Sequence, residues 1–295
     1  MTHTAVSTPS QSTISSCFDS DYISKFDPQE FNRNKPYPWA NFKALLTPEA
    51  FDALYREFPS LDFFEQHEGI ARKHGQKPHD RYYLAYEEKI DLYKSLDAQA
   101  EAIQSKGIIR HHQLSPTWQA FITEITTDTP YRRFISALLG TAEFTTRFAW
   151  HVATAGHSVS PHSDARNKLG THIFYFNTSE DWKAEWGGAT LVLENKQIEG
   201  MNPEVSDFDK VTAVEVMDNR SFLFKNQMEG WHAVDVIQCP PGVHRRIFNV
   251  IIEAPKQKNV EKVVEVKIIE APKQKNVEKA VEVKKSFKER LFGWL

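Results

Sequence analysis

The sequence predicts an α+β protein with helices in the first half of the chain and strands in the second. Three segments before residue 142 carry apolar residues at helical spacing. From about Glu143 the chain changes to short runs rich in Thr, Val, Ile and aromatic residues, separated by Gly, Asn and Pro. Helices followed by strands are the order typical of an α+β fold.

The first predicted helix begins after Thr47, in the segment TPEAFDALYREF. Thr47 is a suitable N-cap and Pro48 suits the first helical position, while Phe51, Leu54 and Phe58 share one face. Two more helices are predicted in SPTWQAFITEITTD and YRRFISALLG. The latter ends at Gly140, the residue type that most often follows a helix C-terminus.

The strand-rich half contains six predicted strands: FTTRFAWHVA, THIFYFN, ATLVLEN, VTAVEVM, SFLFKN and RIFNVIIE. We therefore expect four regions along the chain. They are a flexible N-terminal lead (1–25), a mainly helical supporting region (26–142), a strand-rich catalytic core (143–254), and a duplicated charged segment with an amphipathic C-terminal tail (255–295).

The C-terminal region contains a tandem duplication. Residues 251–267, IIEAPKQKNVEKVVEVK, are repeated at 268–284 with one difference, Ala280 in place of Val263. The end, KKSFKERLFGWL, alternates basic and apolar residues as an amphipathic helix does. We expect this tail either to dock on its own domain or fray, or to make a weak contact with a membrane surface or a partner.

Composition excludes several classes of function. The net charge of -3 gives no general attraction to nucleic acid or anionic membranes, so no nucleic-acid partner is expected. Two cysteines cannot form a disulfide framework or a thiolate metal cluster. The N-terminal stretch lacks the pattern of a signal peptide, and no apolar run reaches the length of a transmembrane helix. These features predict a cytoplasmic protein.

The chemically informative motif is HSVSPHSDARNKLGTHIFYFN. His162 and Asp164 are two residues apart, so on an extended strand both side chains point to the same side. A second histidine, His232 in GWHAVDVI, lies 70 residues later between two predicted strands. A jelly roll brings strands that distant into contact. Two histidines and one carboxylate leave open coordination positions on iron(II), as an oxygenase requires.

In these motifs the chain resembles the 2-oxoglutarate and iron(II)-dependent dioxygenases, particularly the prolyl 4-hydroxylase-like branch. The resemblance covers roughly residues 145–253. It depends on PHSD, HIFYFN, EWGGATLVL and WHAV, in that order, and on a basic pair that begins the last strand. It implies a double-stranded β-helix (jelly roll, cupin-like) core with N-terminal supporting helices. It also implies Fe(II) as the cofactor, 2-oxoglutarate and dioxygen as co-substrates, and hydroxylation with release of succinate and carbon dioxide.

By the same resemblance His162, Asp164 and His232 bind iron, and Arg245 or Arg246 binds the distal carboxylate of 2-oxoglutarate. A guanidinium suits that role because it is always charged and grips a carboxylate through two parallel hydrogen bonds. Adjacent strand residues point to opposite faces, so only one arginine faces inward; we favour Arg245. The family's Ser two residues after this Arg is absent, which leaves Tyr175 or His172 as the second partner.

Some assignments stay open at this level. The substrate is expected to be a small molecule or a peptidyl group, and the segment HDRYYLAYE at 79–87 either contacts it or packs in the helical half. His151 and His157 are further candidates for shaping the substrate pocket. Two other functions remain possible: a cupin-like metal-binding isomerase without 2-oxoglutarate, and a non-catalytic interaction protein. The basic last strand argues against the former and the intact triad against the latter.

Overall fold

The computed structural model describes residues 14–70, 77–87 and 106–255, all within one compact unit, Met1–Lys256. The predictions for the duplicated segment and the C-terminal tail fall outside these residues, as does most of the proposed flexible lead. None of the described helices is long and apolar enough to cross a membrane.

The three predicted helices are confirmed, and two short helices precede them. The five are α1 (Ser20–Lys25), α2 (Pro28–Arg33), α3 (Pro48–Arg56), α4 (Pro116–Thr126) and α5 (Pro130–Leu139). Thr47 caps α3 through a hydrogen bond from the Ala50 amide to its side chain, and Pro48 occupies the first turn. Gly140 follows α5 in the left-handed conformation, φ 72°, that glycine adopts without strain.

Twelve strands form two sheets in the described residues. They are β1 (Trp39–Lys43), β2 (Glu65–His67), β3 (Arg81–Tyr86), β4 (Ile108–Ile109), β5 (Thr145–Ala153), β6 (Val159–His162), β7 (Lys168–Tyr175), β8 (Thr190–Lys196), β9 (Phe208–Ala213), β10 (Arg220–Lys225), β11 (His232–Val234) and β12 (Arg245–Glu253). The major sheet has the order β1-β10-β7-β12-β5-β3-β2, with β4 beside β3, and the minor sheet has the order β6-β11-β8-β9.

These two facing sheets make the double-stranded β-helix that the sequence predicts. Side chains alternate along β12, and each set packs on a different layer. Phe248 packs on Trp118 of α4, with ring centroids 5.1 Å apart, so one face of the major sheet is covered by helices. Ile247 and Tyr175 belong to the cluster that includes Val192 of the minor sheet. The space between the sheets is therefore lined by the odd-numbered residues of β7 and β12.

The supporting region differs from the prediction in one respect. Strands β1 to β4 come from it, and the segment 79–87, assigned to the helical half, contains β3 on the major sheet beside β5. Tyr82, Tyr83 and Tyr86 are β-formers, but a run this short does not by itself distinguish a strand from other structure. Hydrogen bonding to β5 makes this segment a strand.

The described part of the predicted flexible lead is ordered into the core. Cys17 and Phe18 are buried, and α1 begins at Ser20. Phe18 stacks on Tyr131 at a centroid distance of 4.1 Å, and the amide of Cys17 donates to Glu124 of α4. The assignment of residues 14–25 to a flexible lead is therefore wrong, because a few aromatic contacts outweigh the polar composition of the segment.

Candidate metal centre and co-substrate pocket

His162 and His232 face each other across a strand pair of the minor sheet. His162 is the last residue of β6, His232 is the first of β11, and the antiparallel register pairs them directly. Their ring centroids are 4.2 Å apart. Phe224 of β10 packs on the His232 ring, at 4.6 Å between centroids, and limits its rotation.

Asp164 completes a group of three possible ligands. Its carboxylate, together with one nitrogen of each imidazole, forms a set of atoms that all lie within 4.8 Å of one another. Thr171 on β7 donates to one oxygen at 3.1 Å, and the ammonium of Lys168 lies 2.7 Å from the other. The carboxylate is thus held by β7 while the imidazoles are held by the minor sheet.

Backbone hydrogen bonds set the tautomer of both imidazoles. Nδ1 of His162 lies 3.0 Å from the carbonyl oxygen of Ser160, and Nδ1 of His232 lies 2.9 Å from that of Gly230. A carbonyl only accepts, so each Nδ1 carries the proton and each Nε2 keeps its lone pair. A metal ion needs that lone pair, and second-shell bonds of this kind are usual for ligating histidines.

The electrostatics of the site suit a cation. Burial lowers the pKa of His162 well below its usual value and also lowers that of His232, so both imidazoles are neutral at pH 7. Burial by itself raises the pKa of Asp164, but the imidazoles of His232 and His162 in their protonated forms, together with the Lys168 ammonium, outweigh it and lower the pKa to about 2. Two neutral imidazoles and one carboxylate are the donor set that iron(II) oxygenases use.

Arg245 and Arg246 point to opposite faces of β12. Arg246 turns toward the helices, where Asp181 forms an ion pair with it and the Tyr55 ring lies 4.5 Å from its guanidinium carbon. Arg245 turns into the space between the sheets and is 5% exposed. Because a carboxylate of the protein already pairs with Arg246, it is the less suitable of the two arginines for binding a co-substrate anion.

Arg245 has no ion-pair partner among the residues that the structure describes. Its contacts are Thr190 Oγ1, 3.4 Å from one terminal nitrogen, and the Tyr175 ring, 5.4 Å from the guanidinium carbon. Its Nε is buried without a hydrogen-bond partner. A buried charge without a counter-ion is costly, so this pocket has the character of a site for an anion.

The pocket around Arg245 includes two residues that the sequence did not indicate. The Tyr175 hydroxyl donates to Thr190 at 2.8 Å, so tyrosine and threonine together face the guanidinium. Gly188 has φ +72°, and a Cβ there would lie 3.0 Å from Cδ of Arg245. Thr190 and Gly188 come from the EWGGATLVL segment, but only the packing of β8 against β12 shows that they border the arginine.

The assignment of His172 as an alternative second partner for the 2-oxoglutarate carboxylate is wrong. It is fully buried on the helix-covered face of β7, where the Tyr131 hydroxyl lies 3.0 Å from its Nδ1. Neighbouring strand residues alternate between faces, so Tyr175 and His172 cannot both face the pocket.

The comparisons with known proteins agree with this geometry. Residues 147–253 match the model of the 2OG-Fe(II) oxygenase superfamily. This segment is a 2OG-Fe(II) oxygenase domain. The match over this segment and the three candidate ligands support an oxidoreductase of the dioxygenase type, with Fe(II) as the cofactor and 2-oxoglutarate and dioxygen as co-substrates, as the sequence predicts. The match also disfavours the isomerase and interaction-protein alternatives.

Three prolyl hydroxylases are among the solved structures that are similar to this chain. A prolyl 4-hydroxylase from Phytophthora capsici has 14% sequence identity and a TM-score of 0.51, over 84% of this chain and 70% of the other. A Trichoplax adhaerens prolyl hydroxylase in complex with a hypoxia inducible factor peptide has 13% identity and a TM-score of 0.49, over 80% and 90%. A Pseudomonas putida prolyl-4-hydroxylase has 12% and 0.47, over 74% and 94%. No curated protein sequence matches the chain. At such identities the Phytophthora structure supports the fold of the oxygenase domain and nothing finer.

Proposed function

We propose that this oxygenase domain hydroxylates a small-molecule or peptidyl substrate, with His162, Asp164 and His232 holding Fe(II) and Arg245 binding the distal carboxylate of 2-oxoglutarate. The observation that carries the proposal is the pairing of two features on one pocket. Three metal-type donor atoms lie within 4.8 Å of one another, and on the major sheet stands the buried guanidinium of Arg245, which has no ion-pair partner in the part of the chain that the structure describes.

The chain's own residues supply the arrangement that the reaction needs. The two imidazoles present Nε2 because backbone carbonyls hold Nδ1, and Asp164 offers a charged carboxylate. Three protein ligands leave three positions of an octahedral ion open, enough for a bidentate 2-oxo acid and dioxygen. When bound, Fe(II) and 2-oxoglutarate supply the oxidising chemistry, in which oxidative decarboxylation to succinate accompanies insertion of oxygen into a C–H bond.

Arg245 would orient the 2-oxo acid from its far end. The guanidinium and the Tyr175–Thr190 pair offer charged and neutral hydrogen bonds to one carboxylate, in a site that burial protects from water. Burial raises the pKa of Tyr175 to about 12, so its hydroxyl stays protonated and able to donate at any physiological pH. Tyr175 in this way would replace the serine that the family pattern places after the arginine.

The test is binding and turnover with the full-length protein. Anaerobic addition of 2-oxoglutarate to the Fe(II) protein should produce a metal-to-ligand charge-transfer band, and admission of oxygen should yield succinate even without a substrate. Asp164→Ala should abolish both signals. Asp209→Ala, at an exposed carboxylate on β9, should leave both intact. Absence of the band from the wild-type protein, with Fe(II) shown to be bound, would refute the proposal.

A further inference from the structure

The turn between β6 and β7 brings Lys168, the first residue of β7, back to the candidate ligand Asp164. The amide of Lys168 donates to the carbonyl oxygen of Ala165 at 3.0 Å and closes the turn. The Lys168 ammonium lies 2.7 Å from Oδ1 of Asp164, and the two side chains are 21% and 8% exposed. An exposed ion pair contributes little because water screens it. This pair is mostly buried, so its charges act more strongly on their surroundings.

Asp164 has other contacts that hold it in place. Thr171 on β7 donates to the second carboxylate oxygen, Oδ2, at 3.1 Å. Asn226, the residue after β10, fixes the turn itself, because its side-chain amide nitrogen lies 2.9 Å from the carbonyl oxygens of both Ala165 and Lys168. None of these hydrogen bonds involves the side chain of Lys168. What the ammonium adds to the site is therefore mainly its charge.

The charge of Lys168 opposes that of Asp164 at the candidate metal centre. His162 and His232 are neutral at pH 7, so Asp164 is the negatively charged member of the three candidate ligands. The ammonium beside it cancels this negative charge. A metal ion bound by Asp164 would also share that carboxylate with a second cation. Like charges repel, and the repulsion is stronger where the pair is withdrawn from water.

The same ammonium has the opposite effect on an anion. 2-Oxoglutarate carries two carboxylates, and in the proposed function it binds the metal through one of them. When Lys168 cancels the charge of Asp164, the metal ion keeps more of its own positive charge and attracts an anionic co-substrate more strongly. A single charge should thus change the affinities for the cation and for the anion in opposite directions.

We propose that Lys168 acts through Asp164 to weaken the binding of the metal ion and to strengthen the binding of 2-oxoglutarate to the metal-loaded protein. The inference rests on the proposed function, in which Asp164 is a metal ligand. Lys168 is a positioning residue in this role, because it acts on both ligands through the carboxylate with which it pairs. Coupling between two ligands is reciprocal, so the co-substrate in turn holds an ion that the free protein exchanges more readily.

The test measures both affinities in the full-length protein with Mn(II), a paramagnetic substitute for iron(II). The EPR signal of unbound Mn(II) gives the Kd of the metal. Calorimetric titration of the Mn(II)-saturated protein with 2-oxoglutarate gives the Kd of the co-substrate. Lys168→Met removes the charge and keeps an unbranched side chain. We expect this variant to lower the Kd of Mn(II) about tenfold and to raise the Kd of 2-oxoglutarate about threefold or more.

Three further variants assign the effect to the charge. Lys168→Gln also lacks the charge but stays polar, so it should behave as Lys168→Met does and replaces it if the apolar variant folds poorly. Lys168→Arg keeps the charge and should restore both wild-type Kd values. Lys210→Met is the matched control and should change neither, because Lys210 on β9 pairs with Glu194 and 62% of its side chain is exposed. Circular dichroism and thermal unfolding establish that each variant is folded.

The pattern of the two Kd values separates a charge effect from a structural one. If Lys168 only held Asp164 in place, its removal would raise both Kd values. That result, a change in one Kd alone, or no change in either overturns the inference while leaving the proposed function intact. If 2-oxoglutarate does not bind to the Mn(II)-saturated wild type, the proposed function is wrong and the inference fails with it.

Discussion

Replacing Arg245 by glutamine removes a buried charge that no described residue neutralises and that the co-substrate is proposed to neutralise. The guanidinium is 5% exposed and has no ion-pair partner among the described residues. Loss of one partner from a buried, hydrogen-bonded charge pair costs about 2–5 kcal/mol of binding free energy. Taking about 3 kcal/mol, and about 1.4 kcal/mol for each factor of ten, the Kd of 2-oxoglutarate should rise on the order of 100-fold.

The same substitution should not destabilise the free protein. A buried cation without a counter-ion already raises the free energy of the folded state, so its removal leaves the free energy of unfolding unchanged or higher. Arg246→Gln is the matched control on the next residue. It breaks an ion pair with Asp181, whose side chains are 22% and 30% exposed, and a contact with the Tyr55 ring. It should lower the free energy of unfolding by about 1–2 kcal/mol and leave the Kd unchanged.

Two measurements test this pair of predictions. Anaerobic titration of the Fe(II) proteins with 2-oxoglutarate gives the Kd, and urea unfolding without co-substrate gives the free energy of unfolding. The reasoning is refuted if Arg246→Gln weakens 2-oxoglutarate binding as much as Arg245→Gln does. It is also refuted if Arg245→Gln destabilises the free protein by more than Arg246→Gln, since Arg245 would then have a counter-ion.

Three further predictions concern neighbouring features. Gly188→Ala strains a residue at φ +72° and places a Cβ 3.0 Å from Cδ of Arg245, so it should displace the arginine. We expect the KM for 2-oxoglutarate, measured by succinate formation, to rise severalfold; an unchanged KM would show that the loop adapts. Burial, with the charge of Glu124 adding to it, raises the pKa of Cys17 to about 12, so iodoacetamide should label Cys17 only after unfolding, by peptide mass mapping at pH 8. Burial lowers the pKa of His172 to about 3, so the unfolded chain binds a proton that the folded protein does not as the pH falls below about 6.5. The neutral His172 therefore favours the folded state fully above pH 6.5, and this stabilisation is lost as the pH falls toward 3, at up to about 1.4 kcal/mol per pH unit. Urea unfolding at pH 7 and pH 5 should show a smaller loss in the free energy of unfolding for His172→Gln than for the wild type.

Local sequence patterns predict a structural feature correctly where residues close together in the sequence determine it. Thr47 and Pro48 start α3 because the cap and the first turn involve residues within three positions of each other. Gly140 ends α5 for the same reason. The two-residue spacing of His162 and Asp164 likewise predicts that they share one side of the chain, and both contribute atoms to the same group of possible ligands.

The face of the sheet that a residue occupies is predictable only relative to its neighbours. Alternation along β12 requires Arg245 and Arg246 to point in opposite directions, but it does not say which one points between the sheets. Helices α4 and α5 decide this by covering the face that carries Phe248 and Arg246, where Asp181 is also found. The same alternation on β7 separates Tyr175 from His172.

The sequence by itself determined the positions of three helices, six of the strand segments and the types of residue that could hold a metal, because each depends on spacing within a few residues or on side-chain chemistry. Only the tertiary structure decided that β3 joins the major sheet, that Arg245 rather than Arg246 points between the sheets, and that Thr190 and Gly188 border Arg245. These depend on strand pairing between segments far apart in the chain, in which the register of backbone hydrogen bonds determines which side chains share a face.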